Sequence, residues 1–181
     1  MVVLERFLWL AVVLAIIWVV EVVNLVSGYA LNPVFGLLPR SLGGLDGILF
    51  MPFLHGSLSH AAANTAPLVI LGGLLAATAP RLVFKASVLI TVLGGFGVWL
   101  FGASAIHVGA SGLIFGWFGF LLTRGVMTRQ LVPLLVTIGV ALVYGTMIWG
   151  ILPGQPGVSW EAHLFGCAAG IFAGYSLSRR A

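Results

Sequence analysis

The chain has 181 residues, 61% of them hydrophobic and 7% charged, with a formal net charge of +4. A soluble domain of this size cannot bury that much apolar surface, so the sequence describes an all-α, polytopic membrane protein. Its basic residues stand singly, which excludes nucleic acid as a partner and makes them topology markers; a single cysteine, Cys167, excludes an intramolecular disulfide and a cysteine-rich metal site.

The first apolar run, about 7–27, is long enough to span a membrane and too long for a cleavable signal peptide. Glu21 and Asn24 in its last turns must face other helices or water; interhelical hydrogen bonding is preferred here to a role at an active site. Residues 28–57 form a connection rich in proline and glycine yet unusually greasy, with Val34, Phe35, Leu37, Leu38, Ile48, Leu49 and Phe50. Such a loop is predicted to lie in the membrane interface, and its length points to function rather than disorder. The second run, about 58–78, opens with His55, His60 and Asn64, and Pro67 is predicted to kink it. The third covers about 86–103. A short loop through His107 leads to the fourth, about 111–123, which begins in Gly109-Ala110-Ser111-Gly112. The fifth covers about 131–149, with Pro133 tolerated in its first turn. A second loop, 150–160, precedes the sixth run, about 160–177. The whole chain, 1–181, reads as a single membrane domain, and no internal repeat suggests a transporter built from inverted halves.

With the N-terminus inside, Arg6, Arg81, Lys85, Arg124, Arg129, Arg179 and Arg180 fall on the inner side and only Arg40 outside. The positive-inside rule then makes both termini cytoplasmic. Taking Arg124 as the inner boundary, Ser111 stands about 20 Å above it and so roughly 10 Å below the outer surface of a core about 30 Å thick. On this reading the fourth helix is short and submerged. His163 and the His60–Asn64 pair, which share a helix face at i and i+4, fall near the same level.

Polar groups at that depth must satisfy one another or face a water-filled cavity. Their chemistry suits acyl transfer: a serine nucleophile, a histidine to take and return its proton, and amide, imidazole and helix N-terminal donors for an oxyanion. Taken alone, the motif is a weak signal and Ser111 reads first as a plain N-cap serine. The pairs Gly112/Gly116 and Gly166/Gly170 would let two helices cross closely and bring Ser111 to His163; generic glycine packing is the alternative. Glu161 points away from His163 by its helical angle, and Asp46 lies in the first loop, so a Ser-His dyad is expected without an acid. Cys167, between Gly166 and Ala168, reads as a packing residue.

His55, His60 and Asn64 in H-x-x-x-x-H-x-x-x-N, Gly109 to Gly112 in G-x-S-G, and His163, Gly166 and Gly170 in H-x-x-G-x-x-x-G, on the second, fourth and sixth of six runs, resemble the rhomboid intramembrane serine proteases. The resemblance covers essentially the whole chain and implies a six-helix bundle. Position by position it implies Ser111 as nucleophile and His163 as base, with His60, Asn64 and the Ser111 backbone as the oxyanion hole. It also implies transmembrane protein substrates cleaved near the outer face, here expected to enter from lipid past the fifth helix and loop 150–160. Small side chains should be preferred at the scissile point, since Gly109 and Ala110 line the approach. Two positions depart from the family. Asp46-Gly47 stands where a Trp-Arg pair is common, leaving the anchoring of the first loop open, and Phe115 stands where a tyrosine often packs on the histidine. His107 matches no family motif and reads as an interface residue, with lining of the cavity as the lesser alternative. No cofactor and no metal are expected, and the compact form suggests a prokaryotic plasma membrane. The competing readings are a catalytically silent binding or quality-control protein on the same fold and, more remotely, a proton-linked transporter using His60 and His163.

Overall fold

The structure is a computed structural model that describes residues 3–178. Among these residues there is no strand, only an isolated antiparallel bridge between Leu37 and His107. Eight α-helices follow in order: α1 (Val3–Val26), α2 (Asn32–Phe35), α3 (Gly47–Phe50), α4 (Leu58–Thr78), α5 (Val83–Phe101), α6 (Ser111–Thr128), α7 (Leu131–Tyr144) and α8 (Trp160–Ser178). The six longer ones fall where the apolar runs predicted them; α2 and α3 are single turns inside the first loop. Segments Glu5–Val26, Leu58–Thr78, Val83–Phe101 and Leu131–Ile151 are long and apolar enough to cross a membrane. Rows of exposed side chains such as Leu8, Val12, Ile16 and Val19 on α1, or Leu131, Leu135, Leu142 and Val143 on α7, are what a lipid-facing surface requires. Arg179 and Arg180 lie outside the described residues.

The ends of α6 and α7 differ most from expectation. α6 does not stop at Thr123 but runs to Thr128, 18 residues in all or about 27 Å. Arg124 therefore lies within the helix and not in a turn: it is buried, and its Nη2 donates to the Thr78 carbonyl at 3.0 Å, one of the last carbonyls of α4. The turn comes at Arg129, which adopts left-handed backbone at φ 53°. α7 ends at Tyr144 instead of Trp149, and a 3-10 segment, Gly145–Ile151, continues it. The first loop is built rather than merely immersed: besides α2 and α3 it holds 3-10 turns at Leu42–Gly44 and Met51–Phe53. α4 continues unbroken through Pro67.

Buried α6 is the centre of the bundle, with Trp117 and Phe120 fully enclosed. α8 packs against it along a stripe of glycines. A Cβ at Gly170 would strike the Gly116 carbonyl, and one at Gly166 the Gly112 carbonyl. Only hydrogen at these positions permits such backbone contact. Cys167 is buried in the same contact, with its carbonyl facing Gly119, as a packing residue should be.

Candidate active site

Three helix ends and three connections build the site. Ser57 starts α4: its hydroxyl accepts from the His60 N–H at 3.2 Å, which fixes the turn carrying His60 and, one turn on, Asn64. Ser159 does the same for α8, accepting from the Ala162 N–H at 3.2 Å just before His163. Between them α6 begins at Ser111 itself. The N-cap is Ala110, with no side-chain cap, so Ser111 is the first helical residue and its hydroxyl is not used as a cap. Its backbone N–H, and that of Gly112, belong to the helix N-terminus that lacks intrahelical acceptors.

Gly109 sets the approach to Ser111. Its φ of +126° suits only glycine, and a Cβ there would lie 2.8 Å from His60 Cε1 and 3.8 Å from Asn64 Nδ2. The α4 side chains thus sit directly on the G-x-S-G turn. The Asn64 side-chain nitrogen is buried and has no protein partner, a donor left available at this spot. Ala110 does not line the approach as expected; it is fully buried in the core.

His163 is held from two sides. Phe115 stacks on its ring with centroids 4.1 Å apart and planes 7° from parallel. Its Nδ1 faces the Gly150 carbonyl at 2.9 Å, so that nitrogen carries the proton and Nε2 is left as an acceptor. The phenylalanine needs no hydroxyl to hold the ring, because the 3-10 segment after α7 supplies the hydrogen bond. Ser111, His163, His60 and Asn64 all line one cavity of about 820 Å³. No hydrogen bond joins Ser111 to His163 in this resting arrangement among the described residues; both open onto the cavity.

Behind the site, His55 is fully buried with its ring edge-on to His60 at 5.0 Å. Burial, with His60 alongside, holds its imidazole down at about 4. Its carbonyl accepts from Asn24 and Asn32 at 3.3 and 3.0 Å, and Glu21 accepts from the Tyr29 hydroxyl at 3.1 Å. Glu21 and Asn24 are therefore structural, tying α1 to the first loop. Glu161 lines the same cavity, but its carboxylate is engaged elsewhere, accepting from the Ala103 N–H at 3.0 Å.

Several contacts lay beyond sequence reasoning. His107 is buried and lines the same cavity as Ser111, the second of its two sequence readings: Nδ1 meets the Ser159 hydroxyl at 2.7 Å and Nε2 the Ala103 carbonyl at 3.1 Å, so it ties the loop before Ser111 to the start of α8. Arg40, the one basic residue assigned outside, anchors the first loop through Gly102 O at 2.7 Å and Ser104 Oγ at 2.9 Å. Trp99 adds a bond from its indole to Ser41 O at 2.9 Å. The first loop is thus anchored without a Trp-Arg pair at 46–47. Asp46 and Gly47 shape the loop locally, since Asp46 caps α3 and a Cβ at Gly47 would strike the Leu37 backbone.

A family model described as the Rhomboid domain matches residues 43–180. Uncharacterized proteins of Mycobacterium tuberculosis and Mycobacterium bovis are each 40% identical over 173 residues, which is 91% of this chain and 72% of theirs. One from Mycobacterium leprae is 35% identical over 175 residues, 91% of this chain and 68% of its own.

Proposed function

The chain belongs to the rhomboid family of integral membrane proteins, and from that premise we propose that it is an intramembrane serine endopeptidase working through a Ser111–His163 dyad. Ser111 Oγ attacks the scissile carbonyl carbon as its proton passes to His163 Nε2, the nitrogen that the Gly150 contact leaves unprotonated. The negative oxygen formed is met by the Asn64 amide, the His60 imidazole and the Ser111 N–H. Collapse breaks the C–N bond; His163 returns the proton to the departing amine, and water entering by the cavity hydrolyses the acyl-enzyme. Convergence of these four residues on one cavity is the observation that carries the reading.

In this reading the six longer helices are embedded in the bilayer, α6 starting below its outer surface at Ser111, with both termini cytoplasmic and the cavity open to the outer face. Asn64 lies six residues into α4 and His163 three into α8, so these two side chains sit about 5–9 Å inside the ends of their helices. That is shallower than the roughly 10 Å obtained by treating Arg124 as a boundary. Substrates are transmembrane segments of other proteins, entering past α7, the least buried of the long apolar helices. Those weakened by glycine or proline should be favoured, because an intact helix hides its peptide bonds. Purified protein in liposomes should cleave a reporter helix of this kind. Ser111→Ala and His163→Ala should each abolish cleavage, with no further loss when combined, because the two act as a unit. Cleavage that survives Ser111→Ala overturns the assignment.

A further inference from the structure

A second cavity, of about 590 Å³, lies between α1 and α5, apart from the Ser111 site. α1 packs mainly on α4 and on the turn Met51–Phe53 and leaves a slot towards α5. Val13 and Ile17 form one wall and Val88 and Val92 the other, with Trp117 of α6 at the back. Phe50 and Phe53 of the first loop close its far end, and Arg6 stands at the opposite mouth beside Pro80.

The slot's charged groups are confined to that mouth, and only the hydroxyls of Ser87 and Thr91 lie farther along it. Arg6 Nε and Trp9 Nε1 are buried donors with no protein acceptor, and they lie three residues apart on one face of α1. Ser87, deeper in, is already taken by the Trp117 indole at 3.0 Å. Glu5 shares the mouth and has an interaction of its own. An occupant must therefore bring acceptors and negative charge at one end and hydrocarbon along the rest. From Arg6 to Ile17 the wall rises about 17 Å, close to the roughly 15 Å of one leaflet's hydrocarbon. An apolar void of this size facing lipid gains contacts when a chain fills it.

We propose that the slot binds one anionic glycerophospholipid from the leaflet at the Arg6 end. Its phosphate rests on Arg6 and an ester carbonyl on the Trp9 indole, while one acyl chain runs up to Phe50 and Phe53. The chain end then supports the first loop two residues before His55, behind the oxyanion side of the cavity.

Native mass spectrometry of the full chain, stripped in maltoside detergent and titrated with dioleoyl phosphatidylglycerol, tests this. Wild type should retain one lipid and unfold at a higher temperature with it. Arg6→Gln should weaken retention about tenfold, the loss expected of one charge-assisted contact. Val88→Trp, which fills the slot away from the Ser111 cavity, should abolish both retention and the thermal shift. Phosphatidylglycerol with a photoreactive group near its chain end, bound to unmodified protein, should label residues 50–53. Equal retention by wild type and Val88→Trp, or labelling spread over the exposed faces of α1 and α7, overturns the proposal.

Discussion

Gly170→Ala tests how the bundle aligns nucleophile and base. Gly170 is seven residues beyond His163, about 10 Å along α8, and does not line the cavity. Its added methyl would strike the Gly116 carbonyl oxygen and come within 2.7 Å of the Gly116 carbonyl carbon and 2.8 Å of its Cα. These are backbone atoms, so no side chain can turn aside. Restoring ordinary contact of 3.4–4 Å with that oxygen requires α6 and α8 to part by at least about 1.5 Å. Overpacking of this kind costs about 1–3 kcal/mol. Since α6 carries Ser111 and α8 carries His163, the same displacement should lower the cleavage rate about 10²-fold. Gly73 and Gly139 are the controls, because a Cβ at either meets nothing within 4 Å; alanine there should leave the rate unchanged and raise helix stability slightly. Reporter cleavage in liposomes and thermal unfolding in detergent read the two effects. Wild-type rate and stability in Gly170→Ala would refute the claim that this crossing sets the dyad.

Asn64→Ala and His60→Ala should each lower the rate about 10²–10³-fold with much smaller loss of stability, because they meet charge that exists only in the transition state; equal losses of both in unfolding and cleavage assays would mark them as structural. His55 should make the fold acid-sensitive. Its imidazole is held at about 4 against an ordinary 6.5, so the neutral form is the one the fold accepts. Stability is full above about 6.5 and declines as pH falls towards 4, by up to about 3 kcal/mol. Thermal unfolding across that range should show the decline, and His55→Gln should flatten it.

The long helices were legible because apolar length is what a membrane demands, and the catalytic candidates because serine, histidine and asparagine are costly inside apolar runs. Boundaries were less legible. Arg124 looked like the end of a helix because it is charged, yet its reach to the Thr78 carbonyl lets it stay within the bundle. The 3-10 continuation of α7 carries no sequence signal of its own, although its Gly150 carbonyl orients the His163 ring and fixes its tautomer. Pairs such as His107 with Ser159, or Arg40 with Gly102, join residues 52 and 62 apart and leave no local pattern. Ala110 was misplaced because a helix start read in one dimension does not say which residues face the core.

The most direct test is covalent labelling of the purified, membrane-embedded protein by a fluorophosphonate, with the modified peptide identified by mass spectrometry. A single adduct is expected on Ser111, and it should be lost in His163→Ala, since without the base the hydroxyl is a weak nucleophile. An adduct elsewhere, or one on Ser111 that forms equally fast in His163→Ala, would contradict the dyad.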